Sequence, residues 1–356
     1  STTRRGHHMA GIAEVARLAG VSQATASRAL TGRGYVSAAT RTRVIEAATA
    51  LQYVASSTAA SLVTGRMQNI GVIVPTIGRW FFSEVLEGIH EALLEQRYDL
   101  SLYDAEPETA ARDTIFAQLL ARKRFDGLIA AGIEPEHREL DRLLSFGKPV
   151  VTIGSPEAEV SGITIDNRDL TRRATEHLLE LGHERIVLLG GHPGGRETSF
   201  GDQERVRGYT DTMRSAGLGA EARHIPSTVS MPGGYAAAAQ VLGDSRVRPT
   251  AIVGICDEVA IGAIIAARRM GIMVPADLSV VGIDDHENAE MFSLTTLAQR
   301  PREQGHAAVA LLMRHISESD APPERIFEPA TLIVRSSTAP ISREHSAVIA
   351  GISPRR

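Results

Sequence analysis

The chain has 356 residues, enough for two or three domains with an ample core, and a net charge of only −4. Its single cysteine, Cys256, excludes an internal disulfide and any multi-thiol metal site, and no apolar run reaches membrane length. The charge is unevenly placed, +6 over residues 1–66 and −10 over the rest, which confines phosphate contact to the first sixth of the protein.

Residues 1–9, STTRRGHHM, are charged but lack a following apolar region; they are set outside the fold, and a cytoplasmic protein is expected. From Ala10 to Leu30 two short helical patterns flank Gly20-Val21-Ser22. Gly20 supplies the positive φ of a tight turn and Ser22 an N-cap. Small inner residues (Val15, Ala16 and Ala19, then Ala26, Ala29 and Leu30) let the two helices cross closely, as a helix-turn-helix requires. The second helix opens with Gln23, Ala24, Thr25, Ser27 and Arg28, short polar groups and one arginine suited to a major groove. Gln23, Ala24 and Arg28 are expected to read bases, with Ser22, Thr25 and Ser27 on the backbone. Ser37 caps a third helix, Ala38 to Leu51. The all-α DNA-binding domain is thus placed at 10–54 and a small-residue hinge at 55–67.

An α/β body is expected over 68–339. Strand patterns at Asn69–Pro75, Leu100–Tyr103, Gly127–Ala130, Pro149–Ile153 and Ile163–Ile165 form one series. Arg185–Leu189, Ala251–Ile255 and Leu278–Ile283 belong to a second, with helices between, for example Phe82–Gln96 and Asp257–Met270. Alternating strands and helices mean parallel sheets covered on both faces, and two successive series mean two lobes with a cleft. Asp166, Asp257, Asp284 and Asp285 fall at strand ends, where ligands of such folds gather. No Walker loop, dinucleotide fingerprint, nucleophile elbow or zinc-protease motif is present, so no enzyme, cofactor or metal is expected. Gly190–Gly195 reads as a loop at the cleft mouth and Cys256 as a packing residue. Residues 340–356 read as a flexible tail without leucine heptads, which favours a dimer over a tetramer.

Several of these pieces resemble the lactose/galactose-repressor family of bacterial transcription regulators. They are Ala16-x-x-Ala19-Gly20-Val21-Ser22-x-Ala24-Thr25-x-Ser27-Arg28, Val36-Ser37-x-x-Thr40-Arg41 and Ile70-Gly71-Val72-Ile73-Val74-Pro75. Asp166-Asn167, His177-Leu178-x-x-Leu181-Gly182-His183, Val280–Asp285 and Arg335-x-Ser337-Thr338 follow in the family's order. The resemblance implies a periplasmic-binding-protein-like body and a homodimer on a near-palindromic operator. It also implies a hinge that folds only on DNA, with Leu62 wedged into the minor groove. The family's Pro-Asn before the hinge is Ala55-Ser56 here, and an arginine of the hinge is Ala60.

The family's effector contacts carry over to Asp169, Arg205, Asp257 and Asp284, with Trp80 and Phe81 as apolar walls from the first lobe. Carboxylates and an arginine at one site suit vicinal hydroxyls, so a small saccharide is expected, and the resemblance implies that it releases DNA. A purine corepressor between Trp80 and Phe81 is the alternative, and a sugar-binding transport protein the reading from a different class.

Overall fold

Helix α1 (Ile12–Ala19) stops at Gly20, whose φ of 66° lets the Val21 amide turn back to the Ala16 carbonyl at 3.0 Å. Helix α2 (Gln23–Thr31) then begins on Ser22, whose Oγ accepts from the Thr25 amide at 3.1 Å. Helix α3 (Ala38–Ala50) begins on Ser37 in the same way, through the Thr40 amide. The core of these three helices is Val15, Ala16, Ala19, Ala26, Ala29, Val44, Ala47 and Ala48, all buried. These six alanines and two valines keep the helix axes close.

The computed structural model describes residues 11–31, 34–53, 66–107, 109–119, 124–133, 137–145, 147–155, 159–191, 200–318 and 320–341. The chain divides into two compact units, residues 1–68 and 69–356. Leu62 and the rest of the proposed hinge up to residue 65, loop residues 192–199 and tail residues 342–356 lie outside the described residues.

The second unit holds two six-stranded sheets. The first combines β1 (Asn69–Val74), β2 (Asp99–Asp104), β3 (Gly127–Ala131), β4 (Val150–Ile153), β5 (Ser161–Thr164) and β11 (Arg325–Phe327) in the order β11-β5-β4-β3-β1-β2, every pair parallel. The second combines β6 (Ile186–Leu189), β7 (Arg223–Ile225), β8 (Ala251–Gly254), β9 (Ser279–Asp284), β10 (Thr295–Ala298) and β12 (Thr331–Ile333) in the order β12-β10-β9-β8-β6-β7; only β12 is antiparallel. The central strands are apolar runs because helices cover both their faces. Edge strand β2 instead mixes half-buried and exposed residues and buries none fully.

Helix α4 (Trp80–Glu95) begins two residues earlier than its sequence pattern suggested, which puts Trp80 in the first turn. Helices α5 (Ala110–Thr114, continuing as a π turn to Leu119) and α6 (His137–Ser145) complete one side of the first lobe. The second lobe carries α7 (Asn167–Glu180), α8 (Phe200–Ser215), α9 (Met231–Leu242) and α10 (Asp257–Arg269).

Helix α11 (Pro301–Ser317) departs from the expectation of two contiguous lobes. It leaves the second sheet after β10 and packs on β3, β4 and β5 of the first. Its Ala308, Val309, Leu311 and Leu312 need an apolar surface, and they join Ile129, Val151 and Ile163 there. Gly88 and Gly305 set its distance from α4: a Cβ on Gly88 would lie 2.1 Å from the Arg302 carbonyl oxygen. The chain therefore crosses between lobes three times, after β5, after β10 and after β11.

Candidate functional site

In the N-terminal unit, Ser22, Gln23, Ala24 and Arg28 are exposed, Thr25 and Ser27 half-buried, and Ala26 and Ala29 buried. The six helix-turn-helix positions expected to meet DNA thus run from the N-cap Ser22 along α2 to Arg28. Ser22 and Thr25 also hydrogen-bond each other through their hydroxyls at 2.9 Å, so their side chains serve the cap first. Arg28 is steadied by its own helix, Nε donating to the Ala24 carbonyl at 3.2 Å. Gln23, Ala24 and Arg28 are left as the outward face.

In the body, a polar cluster forms where α7, α8 and β9 converge. Arg205 donates from Nε to Asn167 Oδ1 at 2.8 Å and from Nη1 to the Ile255 carbonyl at 2.6 Å, and its Nη2 lies 3.9 Å from Asp284 Oδ1. Asp284 closes β9 with a φ of 124°, a strained backbone for a residue with a side chain. Its Oδ1 accepts from Gln299 Nε2 at 2.7 Å. Burial raises the Asp284 carboxyl to about 6, against the pull of Arg205 and Arg79. The first lobe meets this cluster through the segment between β1 and α4. Trp80 stacks on His286 with ring centroids 4.7 Å apart and a 35° tilt. Arg79 Nε reaches Glu258 Oε2 at 3.5 Å, and its guanidinium lies 5.6 Å from the Phe82 ring centre.

Two buried polar atoms beside the Asp284–His286 segment have no hydrogen-bond partner: the Trp80 indole Nε1 and the Gln299 Oε1. One is a donor and the other an acceptor, each costly to bury unpaired.

Arg205, Asp284 and Trp80 are thus brought together as expected; the other three candidates are placed differently. Asp169 sits in the first turn of α7 and spends its carboxylate on Arg172, at 3.0 Å from Nε, and on Arg173. Asn167 is the α7 residue that faces Arg205. Asp257 is fully buried, Oδ1 accepting from Thr296 Oγ1 at 2.7 Å and Oδ2 from the His286 amide at 2.8 Å. Burial, then the nearby Asp284 charge, raises its carboxyl to about 8. It ties the start of α10 to the loop after β9. Phe81 packs onto the first lobe's core, whereas Phe82 lies at the strand ends, with Gly132 and Pro75 against its ring side.

Asn167, Gln299, His286, Arg79 and Phe82 were not singled out from sequence. Only Asn167 carried a signal, as part of the Asp166-Asn167 pair. The Cys256 thiol is buried and raised to about 12 by that burial, which suits a packing residue. Among the described residues no group of His, Cys, Asp or Glu side chains could hold a metal, and no helix is long and apolar enough to cross a membrane.

Comparison with known proteins agrees with this anatomy. Residues 11–56 match the model of bacterial regulatory proteins of the lacI family, and residues 175–338 match a periplasmic binding protein-like domain. The HTH-type transcriptional repressor PurR of Vibrio atlanticus is 32% identical over 336 residues, spanning 93% of this chain and 98% of its own. The HTH-type transcriptional regulator DegA of Bacillus subtilis is 32% identical over 339 residues, with the same two coverages. Among solved structures, a lac repressor dimer bound to operator and the anti-inducer ONPF superposes with a TM-score of 0.82 at 26% identity, covering 93% of this chain and 99% of that one. A CelR–cellobiose complex superposes at 0.66, with 27% identity and 92% and 99% coverage. With these matches along nearly its whole length, the chain belongs to the lacI family of bacterial regulatory proteins, which are transcription regulators rather than enzymes.

Proposed function

We propose that this protein is a homodimeric repressor whose operator affinity is set by a small saccharide held between the two lobes. The observation that carries the ligand class is the pairing at Asp284–His286. An arginine and a carboxylate 3.9 Å apart lie beside an orphan donor, Trp80 Nε1, and an orphan acceptor, Gln299 Oε1. Adjacent hydroxyls of one pyranose or furanose each donate and accept, so they satisfy both kinds of group at once. Trp80 and Phe82 offer rings to an apolar sugar face. Arg205, Asn167, Asp284, Gln299 and Trp80 are the proposed contacts, with Asp257 supporting the loop that carries them.

On the DNA side, Gln23, Ala24 and Arg28 read bases and Ser22, Thr25 and Ser27 contact the backbone. A twin subunit supplies the second half-site, because one helix-turn-helix has too small a footprint for operator-level selectivity. Leu62 is retained as the minor-groove wedge of the hinge. Sugar binding releases DNA, and a coupling of about 1–3 kcal/mol changes operator affinity roughly 5- to 150-fold. The relatives named as repressors and the lac repressor dimer on operator support this reading.

The aromatic pair favours a second reading, in which a purine base inserts against Trp80 and Phe82 and tightens DNA binding. Calorimetric titration with ribose, galactose, cellobiose, hypoxanthine and guanine, each repeated with operator present, separates the two. Saturable sugar binding that is lost in Arg205→Ala and Asp284→Ala supports the first. Binding of the bases alone replaces it with the second, and wild-type affinity in both variants removes the cleft from the mechanism.

A further inference from the structure

The second sheet has a polar feature at its other end. A cavity of about 500 Å³ is lined by Arg185, Arg223 and Arg246, with Glu221 on its wall. Arg185 directly precedes β6, and Pro249, also in the lining, stands two residues before β8. The proposed effector cluster lies at the opposite strand ends, for Ile255 follows β8. Extended chain from Pro249 to Ile255 spans about 20 Å, so the two places are separate.

Each arginine is held differently. Arg185 Nε is buried and has no hydrogen-bond partner, while the residue's own carbonyl is fixed in the sheet by the Thr250 amide at 2.9 Å. Arg223 opens edge strand β7, and its Nη1 is anchored on the Val247 carbonyl at 3.2 Å. Arg246 pairs with Asp244 at 3.4 Å. Glu221 makes no ion pair among the described residues, so it is the one carboxylate set against two unpaired guanidinium groups. Such an arrangement leaves an excess of positive charge around a void, with N–H groups in fork geometry.

We propose that this cavity is a second ligand site, for a small phosphomonoester. The phosphate dianion sits between Arg185 and Arg223, with Arg246 at the mouth. The carbon body rests on Val247 and Pro249, and a hydroxyl of it donates to Glu221. A simple carboxylate would fill one arginine fork and leave the other unpaired. Free phosphate would leave the apolar wall and Glu221 unused. The volume is in the range of small-molecule pockets and accommodates a hexose phosphate.

The test is calorimetry on the full chain with glucose 6-phosphate, glucose, inorganic phosphate and sulfate at matched ionic strength. Wild type, Arg185→Gln, Arg223→Gln and Arg205→Ala are compared. Glucose 6-phosphate is expected to bind saturably and more tightly than inorganic phosphate, and to keep its affinity in Arg205→Ala. Either cavity variant is expected to weaken it about tenfold to a hundredfold. Arg223 lies on an exposed edge, so its variant carries the test if Arg185→Gln unfolds, as near-ultraviolet dichroism would show. The proposal is overturned if glucose 6-phosphate binds no better than sulfate, which would make this an adventitious ion site only. It is overturned equally if binding survives Arg223→Gln but disappears in Arg205→Ala, or if nothing binds.

Discussion

Asp257→Asn separates a structural carboxylate from a ligand contact, because the geometry assigns each oxygen a task. Oδ2 takes the His286 amide hydrogen and Oδ1 takes the Thr296 hydroxyl. Asparagine keeps both contacts: its carbonyl serves the amide, and the Thr296 hydroxyl turns to accept from the new NH2. Wild-type Asp257 holds its proton up to about pH 8, chiefly because it is buried. A carboxyl raised in the folded state contributes stability fully below its unfolded pKa near 4. That contribution is lost as pH rises through about 8. Each pH unit is worth about 1.4 kcal/mol, so wild type should lose on the order of 4 kcal/mol between pH 5 and pH 9 from this group. Asp257→Asn should not lose it. Urea unfolding from pH 5 to 9 would show the variant gaining on wild type as pH rises, with sugar affinity at pH 6 within a few-fold. Asp257→Ala should instead cost about 2–6 kcal/mol at pH 5, since two buried donors lose their acceptor, and that gap should narrow toward pH 9 as wild type itself weakens. A constant gap between wild type and Asp257→Asn across that range would refute the assignment.

Other substitutions probe other levels. Gly88→Ala places a Cβ 2.1 Å from the Arg302 carbonyl and must push α4 off α11, so it should cost about 3 kcal/mol or more in thermal unfolding of the body. Gly20→Ala meets no atom within 4 Å, so its cost is the left-handed backbone alone, about 1–2 kcal/mol, read from the melting of the N-terminal unit. Arg28→Ala should lose about 1–3 kcal/mol of operator binding and relax selectivity at one base pair, measured by competition among single-base operator variants; unchanged selectivity would return Arg28 to a surface role.

What the sequence disclosed depended on how local the determinant was. Gly20, Ser22 and the alanine spacing form one contiguous stretch, and they produced the expected turn, cap and core. The central strands were readable as apolar runs. Helix α11 was not assignable to a lobe, because its apolar stripe of Ala308, Val309 and Leu312 says that it needs a sheet but not which. In the site, neighbours on one helix were confused. Residues two apart are about 200° apart around a helix axis, so α7 turns Asn167 toward Arg205 and Asp169 toward Arg172. Phe81 and Phe82, about 100° apart, divide in the same way between core and strand ends. Asp257 looked like any acid opening a helix; only the three-dimensional approach of Thr296 and the His286 amide makes it an internal tie.

The position of Arg205's partners suggests why a ligand there would act on more than its own pocket. Asn167 is the first residue of α7, directly after the crossover that leaves β5, so Arg205 holds the chain where it enters the second lobe. Asp284, on the other side of Arg205, occupies a strained conformation that the Gln299 and Asp285 contacts maintain. Gln299 itself lies between β10 and α11, at the second crossover. A ligand bonding Arg205, Asp284 and Gln299 therefore meets one crossover directly at Gln299 and another through the Arg205–Asn167 hydrogen bond. Among the described residues, the contacts between the lobes at this rim include a long ion pair, Arg79–Glu258 at 3.5 Å, and a tilted stack, Trp80–His286, and the Arg79 charge also acts on Asp284. The ion pair is part-buried, its side chains 31% and 16% exposed, and the ring contact adds about 1 kcal/mol. A ligand at this edge shifts the two lobes only by as much as its affinities for their two arrangements differ.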